Sequence, residues 1–127
     1  MRSIALALFG LALTTGIAAA EGAMMTIDQM KAEIIGNSLS GKTEGGDAFV
    51  EHYKPDGTII GLSKGAKYQG TWRFRADGLM CFKYGDGAFD GGCVHLSRDG
   101  DQIHFTRVDG SEEPTATLMP GMAPELK

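Results

Sequence analysis

Asp-Gly pairs that cut the chain into short alternating runs constrain its fold more than any other feature. They begin at positions 56, 77, 86, 99 and 109. Lys54-Pro55-Asp56-Gly57 is the strongest turn signal, because proline presets φ and glycine accepts the left-handed position that other residues resist. Between the pairs, apolar and polar residues alternate with the period of a half-buried strand. The pattern predicts strands at about 47–54, 57–63, 66–75, 78–84, 93–98 and 101–108, with a further one at 115–118. Such short strands and tight turns imply a mainly β fold. The expected architecture is an antiparallel meander of roughly six to eight short strands, closed into a small barrel or folded into a sandwich. The pairs keep no fixed period and match neither the EF-hand loop nor the nonapeptide calcium repeat, so hairpin chemistry accounts for them.

One N-terminal helix is expected before the sheet. Thr26 and Gln29 have the spacing of a capping box, and Gly36 suits a C-terminal stop. Ile27, Met30 and Ile34 fall on one stripe, which predicts a helix over about 26–36 packed against a sheet end.

The start of the chain speaks to location. Met1-Arg2-Ser3 is a short positive lead, Ile4 to Leu13 is apolar, and small residues run to Ala18-Ala19-Ala20 before Glu21. This is the layout of a secretory signal peptide with an A-x-A cleavage site. The apolar run is far short of the ~20 residues of a membrane-spanning helix. The expected organisation is a signal peptide at 1–20 and a single β-rich domain at 21–127, with its sheet over about 47–118. The mature protein is expected to be periplasmic or secreted, with no membrane insertion after cleavage. Loss of Arg2 takes the net charge from −4 to −5. With the remaining cations scattered, nucleic acid is not an expected partner.

In an oxidising compartment the two cysteines, Cys81 and Cys93, read as one structural disulfide. Alternation places Tyr68, Trp72 and Phe74 on one face of the third strand, and Met80, Phe82 and Tyr84 on one face of the fourth. These aromatics read most simply as core. A ligand cavity lined by Tyr68 and Trp72 is the functional alternative. Phe89, in the glycine-rich stretch 85–92, is expected on a loop tied at its base by the disulfide, where it would serve as a binding aromatic.

The hairpin around Asp99-Gly100 offers a pair of histidines. A two-residue turn there places His95 opposite His104, close enough for two imidazoles to share a metal ion. Val94, Leu96, Ile103 and Phe105 would take the apolar face. The plainer reading is a solvated cross-strand pair, since no third ligand is placed by the pattern. Met24, Met25, Met119 and Met122 near the two ends have the softness that suits copper(I). The chain has no H-E-x-x-H and no phosphate loop, and most turn aspartates are already accounted for. No catalytic residue, enzyme activity or cofactor is therefore expected.

The motif string Gly36-Asn37-Ser38-Leu39-Ser40-Gly41, His52-Tyr53, Pro55-Asp56-Gly57-Thr58, Gly70-Thr71-Trp72 and Cys81…Cys93 resembles small exported proteobacterial proteins of unknown function. Those carry a G-N-T-L-x-G start, a Y-Y-x-x-D-G-T turn and a G-x-W…C…C core. Ser38 stands here for the usual threonine and His52 for one tyrosine. The resemblance spans most of residues 26–110 and implies a helix followed by a lipocalin-like or half-barrel sheet, with no activity attached. A looser similarity to periplasmic inhibitors of proteases or lysozymes rests on size, disulfide and G-x-W. The function expected from the sequence is an exported, non-catalytic binding module for a small apolar molecule or a cell-envelope protein. A hydrolase inhibitor and a metal-binding protein using His95 and His104 are the alternatives.

Overall fold

Eight strands follow one another around a closed antiparallel barrel in the computed structural model, which describes residues 22–85 and 89–127. They are β1 (Ser38–Lys42), β2 (Ala48–Tyr53), β3 (Thr58–Ser63), β4 (Ala66–Phe74), β5 (Met80–Tyr84), β6 (Phe89–Asp99), β7 (Gln102–Arg107) and β8 (Ala116–Met119). Each strand pairs with the next, and β8 returns to β1 through Ser38↔Met119 to Gly41↔Ala116. Of the two expected architectures, the chain adopts the barrel. The expected signal peptide lies outside the described residues.

The sheet begins earlier than position 47. β1 escapes the alternation signal because Ser38-Leu39-Ser40-Gly41-Lys42 contains one large apolar residue, yet this strand closes the barrel. Leu39 is fully buried in the interior and Ser38 is fully buried on the outside. What covers Ser38 is the C-terminal segment. The Ser38 hydroxyl donates to the Gly121 carbonyl (2.8 Å) and accepts from the Ala123 N–H (3.0 Å). Its one proton thus committed, it takes a further hydrogen bond from His52 Nδ1–H at 3.1 Å. Val50, Ala123 and Leu126 pack beside this node with Ile60, Leu62, Met119 and Met122, so the C-terminal segment covers part of the outer faces of β2 and β3.

The helix α1 (Ile27–Glu33) is shorter than 26–36. Its start is as expected: Thr26 Oγ1 accepts from the Gln29 N–H, and Gln29 Oε1 from the Thr26 N–H. It ends early because Asn37 Nδ2 caps the Glu33 carbonyl (2.8 Å) while the Gly36 N–H donates to the Tyr53 carbonyl (2.7 Å), handing the chain to the barrel. Met30 and Ile34 are fully buried and join Met25, Leu39, Ile59, Met80, Leu96 and Ile103 in one core. Those barrel residues lie at or near the first turns of β1, β3, β5 and β7 or the far half of β6, so α1 stoppers that end. An Arg98–Glu33 ion pair (2.7 Å) and the Met25 N–H to Leu96 carbonyl bond (2.7 Å) fasten the stopper to β6.

Turn chemistry sets the registers. Asp56 Oδ1 accepts from the Thr58 N–H (2.9 Å), and Asp109 Oδ1 accepts from the hydroxyl (2.6 Å) and N–H (2.9 Å) of Ser111. These bonds hold both carboxyls below the usual range, so the two aspartates act as turn residues. The β6–β7 hairpin differs from expectation. Its two turn residues are Gly100 and Asp101, flanked by Asp99↔Gln102. Gly100 alone has positive φ (60°), the signature of a II′ turn with glycine at its first central position. The Asp-Gly reading assumed glycine at the second. The apolar face survives the two-residue shift, with Val94, Leu96, Ile103 and Phe105 all buried.

Cys81 and Cys93 form the expected disulfide, as directly paired residues of β5 and β6 with Cα atoms 4.0 Å apart. A cross-link over a loop of this length stabilises by roughly 2–4 kcal/mol.

Candidate functional site

Opposite the helix stopper, the barrel opens into a cavity of about 640 Å³. Its lining comes from the other ends of the strands: Lys42 of β1, Phe49 and Glu51 of β2, Ser63 of β3, Tyr68 of β4, Tyr84 of β5, Phe105 and Arg107 of β7. Tyr53 and Phe82 reach it from deeper in the barrel, their rings 6.0 Å apart. The volume lies within the few hundred to a thousand Å³ of small-molecule sites, and the walls are largely aromatic.

A carboxylate sits inside this aromatic chamber. Glu51 is 5 % exposed, and it points inward because it shares strand parity with Phe49 and Tyr53. The Tyr53 hydroxyl donates to Glu51 Oε2 at 2.6 Å and the Tyr68 hydroxyl to Oε1 at 2.7 Å. The Tyr84 phenol also lies in the field of this carboxylate. These are all three tyrosines of the chain, gathered on one acid. Burial, and then the adjacent Glu51 charge, pushes all three phenols well above their ordinary range, so they remain protonated donors.

Two glycines make the cluster possible. Gly61 pairs with Tyr68 across β3–β4, and a Cβ there would meet the tyrosine ring at 2.2 Å. Gly70 pairs with Tyr84 across β4–β5, where a Cβ would lie 2.9 Å from that ring. Each ring lies over a strand position that has no side chain, and the two rings meet edge to face at 5.9 Å. At the rim, Arg107 ties two loops together. It bonds Glu44 of the β1–β2 loop, Glu113 before β8 (3.5 Å) and the Ser111 hydroxyl (3.2 Å).

The residues singled out from sequence fall in different places. Tyr68 lines the chamber. Trp72 shares its face but lies toward the helix end, where Nε1–H donates to the Lys54 carbonyl (2.8 Å) and the ring packs on Phe74 (5.1 Å). It is half-buried core and does not line the chamber. Phe89 begins β6 opposite Tyr84 instead of sitting in a loop; its side chain lies outside what is described. His95 and His104 are not opposed: His95 pairs with Thr106 and His104 with Ser97, which leaves the imidazoles diagonal. Nor are the methionines loose tails, since Met25 is buried, Met119 belongs to β8, and Met119 and Met122 pack on the C-terminal cluster. No cluster of three metal-ligating side chains occurs among the described residues.

Gly61-Leu62-Ser63-Lys64-Gly65 has the G-x-S-x-G spacing of a hydrolase nucleophile turn, but it runs from β3 into a hairpin instead of a helix. Lys64 and Gly65 both have positive φ, as a I′ hairpin turn requires, and the Ser63 hydroxyl donates to the Ala48 carbonyl (2.9 Å). Glu51 is the candidate-site residue that sequence reasoning passed over. The available signal was an acid in step with Phe49 and Tyr53 on an inward face. No known protein family and no curated protein matches this chain.

Proposed function

We propose that this chain is an exported, non-catalytic binding module that holds a small molecule in the open end of its barrel. One observation carries the reading: the strand ends opposite α1 enclose about 640 Å³ of space, walled by aromatic rings with a fixed polar group inside. A fold needing only stability would fill that end as it fills the other. The phenols of Tyr53 and Tyr68 are committed to Glu51, so the polar geometry is pre-set before a ligand arrives. Export is supported by the positive lead, apolar run and A-x-A site of residues 1–20, together with the Cys81–Cys93 disulfide.

The test is binding of an uncharged fluorescent probe, N-phenyl-1-naphthylamine, to the wild type and to Ser63→Phe, which crowds the chamber mouth. The expected result is one saturable site in the wild type and at least a tenfold loss in the variant. Equal binding by both, or none by either, contradicts the proposal.

A further inference from the structure

Among the described residues, none forms an ion pair with the carboxylate inside the chamber. The chamber's acidic lining residues are Glu44, Glu51 and Glu113, and its basic ones are Lys42 and Arg107. Arg107 is occupied at the rim by Glu44 and Glu113. The inner carboxylate, Glu51, is 5 % exposed. The Tyr53 and Tyr68 phenols donate to it, and a phenol donates to a carboxylate without cancelling its charge. A buried carboxylate without a counter-ion is costly, and a ligand that brings the missing positive charge recovers that cost on binding.

The walls select the same charge. Phe49, Tyr53, Tyr68, Phe82, Tyr84 and Phe105 surround the chamber, and aromatic faces attract cations through their quadrupoles. An uncharged apolar molecule would fill the space and leave Glu51 uncompensated. An anion would be repelled by Glu51 and would find Arg107 already paired, leaving only the exposed Lys42 at the rim, away from the aromatic interior. Building on the binding-module reading, we infer that the ligand is a small organic cation, an ammonium group on an apolar body, with Glu51 as its counter-ion inside an aromatic cage.

Three compounds of one shape separate the possibilities: phenyltrimethylammonium, its uncharged carbon isostere tert-butylbenzene, and benzenesulfonate. Each is titrated into the wild type and Glu51→Gln, with binding followed by NMR shifts of the chamber aromatics. Gln keeps the volume and an oxygen acceptor for the phenols. The cation is expected to bind the wild type at least tenfold more tightly than the isostere, and the sulfonate more weakly than either. Glu51→Gln is expected to lose most of that preference while keeping the isostere's affinity. A wild-type isostere or sulfonate that matches the cation overturns the inference and leaves the binding module standing. A preference that survives in folded Glu51→Gln overturns the role of Glu51. If none of the three shifts a chamber resonance, the binding-module reading falls as well. Should the variant fail to fold, the wild-type ranking alone decides.

Discussion

At the helix end of the barrel Met30 and Ile34 are fully buried against Leu39, Ile59, Leu96 and Ile103. At the other end the same eight strands enclose about 640 Å³ around Glu51 and three tyrosines. The difference is made by a few residues. Where the interior positions are aliphatic, a seven-residue helix is enough to fill the mouth. Where glycines at 61 and 70 alternate with large rings, the rings lie flat along the wall and leave space between them. Close packing stabilises the first end and pre-organised hydrogen bonding shapes the second. Stability and ligand binding should therefore respond separately to substitution.

The largest effect is expected at the packed end. Met30→Ala removes a fully buried side chain and should destabilise by about 2–5 kcal/mol in denaturant unfolding, leaving probe affinity in the folded protein unchanged. A matching loss of affinity would break the separation of the two ends. At the chamber, Gly61→Ala should cost about 1–3 kcal/mol, because its Cβ would meet the Tyr68 ring at 2.2 Å and force it aside. Its sharper effect should be on the site: with Tyr68 displaced from Glu51, probe affinity should change several-fold. A Gly61→Ala protein with wild-type binding would show that the flat ring is incidental.

How much of this was legible in the sequence follows the same division. Period-two runs and turn residues placed seven of the eight strands, and the inward set Trp72, Phe74, Met80, Phe82, Leu96 and Ile103 followed from parity. β1 was not legible, because a strand of serine, glycine and lysine is recognisable only by what covers it on both sides. The histidine register failed on one dihedral: glycine occupies the first turn position instead of the second, and every pair moves with it. Glu51 was hidden by β2, which is buried on both faces along its second half, Val50 and His52 outward and Glu51 and Tyr53 inward. With both faces dry, alternation no longer marks the inner one. Nor does spacing reveal that Tyr53, Tyr68 and Tyr84, on three different strands, converge on one carboxylate.

That convergence is the centre of the account, and an alkaline absorbance titration of the phenols at 295 nm tests it directly, since the chain has only three tyrosines. Their pKa values are raised in the folded state by burial and by Glu51. Raised values give stability that is complete below the unfolded-state pKa of about 10 and is lost as pH rises beyond it. Phenolate should therefore be absent while the fold persists, as reported by the fluorescence of Trp72 at the packed end. It should then appear for all three tyrosines together as the protein unfolds. A tyrosine that ionises near pH ~10 with the Trp72 signal still native would contradict the cluster, and with it the chamber built around Glu51.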